Sequence, residues 1–154
     1  MRAVHALARI RQPSWNLRMT LTGGCLCGAL RFEIDGPVRM RGLCLCRTCQ
    51  KVSGGAGNLF VGLEAAAFRY TRGEPRRFAR ADASDAPARD FCAECGVHVA
   101  SRSPKAPGGL IVKVGALDDP GAFGKADMVF WTQEKQAFHH LPEDATIFER
   151  LPGR

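Results

Sequence analysis

All seven cysteines of the 154-residue chain fall into three short groups. In chain order the groups are Cys25 and Cys27, then Cys44, Cys46 and Cys49, then Cys92 and Cys95. Four sulfurs about 2.3 Å from a tetrahedral zinc ion lie about 3.8 Å from one another. A CxC spacing along a strand and a CxxC spacing around a tight turn both present a sulfur pair at that separation. The spacing therefore predicts metal binding, with zinc as the metal.

The first and third groups predict a closed, structural zinc site. Two sulfur pairs far apart in sequence complete one tetrahedral shell and clip the chain together. Its ligands would be Cys25, Cys27, Cys92 and Cys95. This site would tie the first strand to the middle of the domain.

The middle group predicts a second zinc with an open coordination position. Three sulfurs leave the fourth position to water or an incoming ligand, as at reactive zinc sites. The predicted catalytic residues are therefore Cys44, Cys46 and Cys49, and the chain would bind two zinc ions. Alternatively, a histidine completes the shell, with His98, His139 or His140 as candidates.

Charge around the open site bears on what it would bind. Zn²⁺ with three thiolates carries a net charge of about −1, so a further thiolate needs nearby cations. Arg47 and Lys51 lie in or beside the loop, and Ser53 and Gly54 would let a peptide-like ligand approach the backbone. These four residues are the predicted substrate pocket, whereas Lys113 is expected at the solvent.

Disulfide bonding explains the cysteines less well than zinc does. An odd number of cysteines leaves one unpaired, and the N-terminus lacks an apolar block long enough for an export signal. No apolar run reaches the ~20 residues of a membrane-spanning helix. The sequence therefore predicts a cytoplasmic protein with no membrane partner.

The basic charge of the chain is largely a property of residues 1–18. This stretch holds four arginines and no acid, so without it the net charge falls from +7 to +3. We expect a basic tail over 1–18, disordered or preceding the true start at Met19, and a single zinc-binding domain over 19–154. The remaining arginines lack regular aromatic interleaving, so a nucleic-acid partner is not expected.

Short alternating segments must position the cysteines. Strands are predicted at 29–35, 38–43, 58–63, 68–70, 77–80, 110–114 and 128–131, with 77–80 pairing back on 68–70 and no helix longer than two turns. Phe60 and Trp131 are expected as core aromatics. The pattern favours an all-β, strongly β-rich domain.

These motifs together resemble the glutathione-dependent formaldehyde-activating enzyme family, which includes the centromere protein V domain. The similarity runs from about Thr22 to Leu151. It rests on GGCLCGALRFEIDG, CLCRTCQKVSGG, FCAECGVHV, VGALDDP and HHLPEDATIFERLP. Leu45 replaces a frequent histidine of the family, and Phe138 a frequent tryptophan; both replacements leave the metal ligands intact, and an altered pocket lining would imply a different substrate.

The resemblance implies a fold, two metal roles and a reaction. The fold would be an Mss4-like zinc-bound β-tent of several short coiled antiparallel sheets, with a structural four-cysteine zinc and a catalytic three-cysteine zinc. The reaction would be that of a carbon–sulfur lyase, S-(hydroxymethyl)glutathione synthase-like, joining glutathione or a related thiol to formaldehyde or a related aldehyde.

Two other functions fit the same cysteines. One is a zinc- or glutathione-binding module without turnover, which would leave the spontaneous addition of thiol to aldehyde unaccelerated. The other is a methionine-sulfoxide reductase-like protein, which requires a redox cysteine free of metal. Because the two predicted metal sites use every cysteine, the second of these is the weaker.

Overall fold

Eleven strands and one short α-helix form the part of the chain that the computed structural model describes, residues 18–152. The first strands are β1 Arg18–Gly24, β2 Arg31–Pro37, β3 Met40–Cys44, β4 Asn58–Glu64, β5 Phe68–Arg72 and β6 Arg76–Phe78. The remaining strands are β7 Ala88–Phe91, β8 His98–Arg102, β9 Gly109–Lys113, β10 Met128–Phe130 and β11 Thr146–Ile147. Helix α1 spans Arg47–Val52, and short 3₁₀ helices span Ala65–Ala67, Val114–Ala116, Pro120–Phe123 and Thr132–Glu134.

The β-rich class that the sequence predicts is confirmed, with six helical residues in α1. Apart from Arg18, which begins β1, the predicted basic tail lies outside the described residues. No helix in the described range is long and apolar enough to cross a membrane.

The strands form two sheets of unequal size. One has the order β1-β2-β5, and the other has the order β11-β10-β3-β4-β9-β8-β7-β6. Most neighbours are antiparallel, as expected, and β10 runs parallel to both β3 and β11. The chain between β9 and β10 crosses through two 3₁₀ helices and enters the larger sheet beyond β3, which imposes the parallel direction.

Two local predictions about strands are wrong. Cys25 and Cys27 lie in the turn between β1 and β2, because β1 ends at Gly24, so this sulfur pair is presented by a turn and not by a strand. Strand β6 pairs with β7 in the larger sheet and not back on β5. The Arg77 side chain stabilises that pairing by donating hydrogen bonds to the buried carboxylate of Asp90.

One apolar core contains buried residues of both sheets. Phe32 of β2 stacks on Phe68 of β5 with ring centroids 5.2 Å apart, and both belong to the same cluster as Val61 and Val112 of the larger sheet. Because side chains alternate along a strand, residues next to these core positions face the opposite side of the larger sheet. The cavity lined by Cys44, Cys46 and Cys49 lies on that outer face.

Candidate metal centre and adjoining cavity

Three cysteines meet where β3 gives way to α1. Cys44 is the last residue of β3, Cys46 is the N-cap of α1, and Cys49 lies in its first turn. The three Sγ atoms lie within 4.8 Å of one another. The Cys46 sulfur also accepts a hydrogen bond from the Cys49 backbone N–H at 3.4 Å, which caps the helix. A strand end followed at once by a helix start therefore brings the CxCxxC sulfurs together.

A buried glutamine holds this cysteine loop in place. The Gln50 amide donates hydrogen bonds to the carbonyl oxygens of Leu45, at 2.6 Å, and Glu134, at 2.8 Å. The Leu45 side chain is fully buried in the core beneath the loop. These contacts anchor the backbone between the first two sulfurs from below.

The electrostatics of the three sulfurs favour a bound cation. Hydrogen bonds from the thiols of Cys44 and Cys49 hold the pKa of Cys46 far below its usual range, and the same contact with Cys46 raises the pKa of Cys44. Only one sulfur can therefore ionise readily while the three are alone. Three thiolates at this spacing require a positive ion between them, and a soft divalent metal such as zinc fits that donor set.

Lys113, expected at the solvent, is buried beside these sulfurs. Its side chain is on the outer face of β9, as period two requires, but the cavity walls cover that face and leave the residue only 8% exposed. Its ammonium donates a hydrogen bond to the Asn58 side-chain oxygen. Burial lowers the pKa of Lys113 to about 8, although the negative charge of Cys49 opposes that shift. The expectation was wrong because the coverage comes from segments distant in sequence.

The other four cysteines form a second cluster between two similar turns. Their Sγ atoms also lie within 4.8 Å of one another: Cys25 and Cys27 come from the β1–β2 turn, and Cys92 and Cys95 from the β7–β8 turn. In each turn the N–H of the first cysteine bonds to the carbonyl five residues later, at 3.1 Å and 3.0 Å. The turns close at Gly28 and Gly96, whose positive φ values of 78° and 74° suit glycine.

The sulfur geometry of this second cluster also suits a metal. The Cys27 sulfur lies 3.5 Å from that of Cys25 and 3.7 Å from that of Cys92, close to the edge of a zinc–sulfur tetrahedron. Hydrogen bonds from the backbone N–H groups of Val97 and Cys27 lower the pKa of Cys95 to about 6. The β7–β8 turn therefore favours the thiolate form of Cys95, and four sulfurs leave no coordination position open.

None of the candidate histidines joins either sulfur cluster within the described residues. Both ring nitrogens of His139 are engaged, Nε2 by the Gly55 carbonyl at 2.7 Å and Nδ1 by the Gln136 N–H at 2.9 Å. His98 contacts Ala100 and Ser101, and His140 is exposed. The middle cluster therefore has three protein ligands in the part of the chain that the structure describes.

A cavity of about 820 Å³ lies on the outer face of the larger sheet. Cys44, Cys46 and Cys49 all line it, and none of the other four cysteines does. Its apolar wall includes Met40, Phe60, Ile111, Met128, Phe130 and Trp131. Polar and charged side chains at its margins include Asn58, Arg89, His98, Ser101, Lys113 and Glu134. The cavity therefore connects the three-cysteine cluster to a surface that could hold a molecule much larger than formaldehyde.

Of the four predicted pocket residues, one lines this cavity. Arg47 lines it, although its guanidinium bonds to the Gln50 side chain. Lys51, Ser53 and Gly54 do not line it.

Sequence reasoning did not identify Asn58 as part of the site, although a signal for it exists. The β3–β4 ladder pairs Asn58 with Cys44, so the register of two predicted strands would have placed it beside the sulfur. Phe60 is buried, as expected of a core aromatic, but it and Trp131 both line the cavity. Whether a strand residue lines the cavity or the core depends on which face of the sheet is left uncovered by other segments.

Comparison with known proteins agrees with this fold. The sequence profile of the glutathione-dependent formaldehyde-activating enzyme family matches residues 20–134. A crystal structure of a Rhodobacter sphaeroides protein is similar in fold, with a TM-score of 0.55 and 19% sequence identity over 69% of this chain and 97% of the other. No protein of curated function matches the chain significantly.

The family match covers most of the chain and includes both cysteine clusters. The chain therefore belongs to the glutathione-dependent formaldehyde-activating enzyme family. Its two sulfur clusters could each hold a metal ion.

Proposed function

We propose that this protein is a zinc-dependent carbon–sulfur lyase that joins a thiol such as glutathione to formaldehyde or a related aldehyde. Its reactive centre would be the metal site of Cys44, Cys46 and Cys49. The four-cysteine cluster would hold a structural zinc, and the protein would work in the cytoplasm, where thiols stay reduced.

One observation carries this assignment: the three-cysteine cluster lines the large cavity, and the four-cysteine cluster does not. A metal with three protein ligands keeps a position for a reactant, but that position is useful only where a reactant can reach it. In this protein the cluster with only three sulfurs is also the cluster that a reactant can reach through the cavity. Family membership supports the same reaction class.

The reaction is an addition without oxidation or reduction. The sulfur of the thiol forms a bond to the carbonyl carbon, the C=O electron pair moves to oxygen, and the thiol proton ends on that oxygen. Zinc at the three sulfurs would supply a Lewis acid that favours the thiolate form of the incoming thiol. The chain itself must then place the thiol, balance its charge and help the oxygen accept a proton.

Lys113 and Asn58 are suited to the last two tasks. An ammonium has three protons to donate, and the Asn58 oxygen engages one of them. Lys113 Nζ therefore keeps donors for the oxygen on which charge develops. Its positive charge also offsets the excess negative charge that a fourth sulfur brings to a three-thiolate site. Asn58 would act as a positioning residue that keeps the ammonium facing the sulfurs.

Metal content and rate enhancement test the proposal together. We expect two zinc ions per chain by elemental analysis, falling to one in Cys46→Ser, whose fold should survive. Ala66→Ser adds the same hydroxyl group at an exposed site away from both clusters and should retain two zinc ions. Adduct formation from glutathione and formaldehyde, followed by exchange NMR, should exceed the spontaneous rate for the native chain and Ala66→Ser only.

A native protein that holds both zinc ions and leaves the spontaneous rate unchanged at saturating concentration would refute the lyase assignment. The same scaffold would then be a zinc- or glutathione-binding module. Native protein with one zinc, unaffected by Cys46→Ser, would refute the three-cysteine metal site itself.

A further inference from the structure

Beyond the sulfurs and Lys113, the cavity contains a second cationic end that the proposed addition does not use. Arg89 lies on the β7 strand, and its Cα partner in the β7–β8 ladder is Ser101. Both side chains line the cavity. Directly opposed residues on one face of an antiparallel pair have Cβ atoms roughly 5 Å apart, so these two side chains can contact one ligand.

The Arg89 guanidinium has no carboxylate partner among the described residues. It donates a hydrogen bond to the Pro87 carbonyl, at 3.2 Å, which fixes the side chain without neutralising it. The nearby carboxylate of Asp90 already binds two other arginines, Arg77 and Arg102. Asp85, at the same end of the cavity, pairs with Lys105. The nearby carboxylates are therefore already paired with other cations. The Arg89 guanidinium keeps N–H donors free and is suited to bind an anionic ligand.

Ser101 adds a hydroxyl group to the cavity, and its hydrogen bond with His98 indicates whether that hydroxyl donates or accepts. His98 Nε2 lies 3.1 Å from the Ala100 carbonyl, which can only accept, so this nitrogen carries the proton. The Ser101 oxygen, 2.9 Å from the same nitrogen, then also accepts. Ser101 is 8% exposed, and its own hydroxyl proton has no acceptor among the described side chains. It is therefore free to donate to a ligand in the cavity.

We propose that Arg89 and Ser101 form a carboxylate subsite for the far end of the thiol substrate. The proposal rests on the proposed function for the position of the sulfur, and it adds the two residues that would bind a carboxylate remote from that sulfur. An arginine fork and a hydroxyl supply the planar donor set that a carboxylate accepts.

The spacing of the strands sets how remote that carboxylate is. Cys44 on β3 and Arg89 on β7 are separated by four strand steps in the larger sheet, roughly 19 Å if the sheet were flat. The long arginine side chain and the cysteine ligands shorten this gap from both ends. The remainder is on the scale of two residues of extended chain, roughly 7 Å. Phe60 and Ile111 lie on the strands between and would contact the intervening atoms.

The test compares glutathione with glutathione amide, in which a neutral carboxamide replaces the glycyl carboxylate and the thiol is retained. Affinities are measured by isothermal titration calorimetry on the zinc-loaded full chain. We expect the native protein to bind glutathione about tenfold or more tightly than the amide, since a charge-assisted hydrogen bond is lost. Arg89→Gln should bring the two affinities together, Arg89→Lys should retain part of the difference, and Ser101→Ala should reduce it severalfold.

Arg69→Gln is the matched control, because Arg69 is an exposed arginine of the smaller sheet that does not line the cavity. It should preserve the native preference. Equal affinities in the native protein, or a preference that survives Arg89→Gln, would overturn the subsite. Zinc content and circular dichroism check that each variant folds, and if Arg89→Gln does not, Arg89→Lys and Ser101→Ala decide the question.

Rates measured on the same proteins separate this inference from the lyase proposal. If both thiols are accelerated with formaldehyde but bind equally, the subsite is wrong and the lyase stands. If glutathione binds with an Arg89-dependent preference but neither reaction is accelerated, the subsite stands and the lyase is wrong. If neither thiol binds, both are wrong.

Discussion

The two sulfur clusters present the same side chain in two different settings. The four-cysteine cluster lies between two turns, has a sulfur for every position of a tetrahedral ion, and does not line the cavity. The three-cysteine cluster lies at a strand–helix junction and lines the cavity with all its sulfurs. Under the proposed function, ligand number and access, and not ligand type, would separate the stabilising metal site from the reactive one.

The largest expected effect comes from removing one cysteine of each cluster. Cys92 is buried, and its cluster joins the β1–β2 turn to the β7–β8 turn, so Cys92→Ser should lower the free energy of unfolding by several kcal/mol, on the order of 3–5. Cys46→Ser should abolish rate enhancement with a much smaller loss of stability. Thermal unfolding and the adduct assay, run on both variants, measure the contrast.

Equal losses of stability in Cys92→Ser and Cys46→Ser would contradict the proposed difference between the two clusters, because both sites would then be structural.

Chelation offers an independent check with the native chain. A moderate excess of chelator should remove the metal of the open three-cysteine site first and abolish activity while the fold persists. A single release step that coincides with unfolding would contradict this.

The second effect concerns the carboxylate behind the closed cluster. Asp90 is fully buried two residues before Cys92 and binds Arg77 and Arg102. Asp90→Asn leaves two cations without a partner and should lower the free energy of unfolding by about 3 kcal/mol. Zinc content and thiol affinity should not change, as equilibrium denaturation and calorimetry would reveal. A loss of zinc from Asp90→Asn would mean that the network positions the metal ligands directly.

Asp90 also predicts how stability varies with pH. Burial alone would raise its pKa, but the hydrogen bonds and charges of Arg77 and Arg102 outweigh burial and hold the pKa below its usual range. A carboxyl with a lowered pKa in the folded state stabilises the protein above its unfolded pKa, and that contribution is lost as the pH falls through the folded pKa. Denaturation between pH 5 and pH 2 should therefore show a smaller acid loss in Asp90→Asn.

The third effect concerns the cation of the open cluster. Lys113→Met keeps the length of the side chain but removes the charge beside the three sulfurs, so the KM for the thiol should rise about tenfold with two zinc ions still bound. Lys113→Arg should restore part of the affinity. A change in zinc content, with KM unaltered, would assign Lys113 to metal retention and not to the thiol.

The smallest effect is expected at the exposed pair between Arg31 and Asp118. The side-chain contacts with Arg31 and Thr22 lower the pKa of Asp118 to about 2, so this pair would weaken only as the pH falls from about 4 towards 2. Both partners are more than a third exposed, and solvent screens the interaction, so Asp118→Asn should cost about 0.5 kcal/mol or less. Neither metal site should respond, which gives a baseline for the larger effects. A loss above about 2 kcal/mol would show that this pair, and not the closed cluster, secures the smaller sheet.

The grouping of the cysteines and the β-rich class are both evident in the sequence. Sulfur pairs at CxC and CxxC spacing are constrained by local backbone geometry, and strand alternation is a local pattern, so both can be read without knowing the fold. The wrong prediction for Cys25 and Cys27 was also local in kind. Nothing in the sequence distinguished a CxC pair in a strand from one in the turn that follows a strand.

Only the tertiary structure decided which cluster has access to a ligand and which charges face it. Lys113 is on the outer side of its strand, and period two alone would place it in solvent, but segments far along the chain wall that side into a cavity. Arg89 and Ser101 become neighbours through the register of two strands. Burial and pairing of this kind depend on contacts between distant segments, which no local pattern of residues encodes.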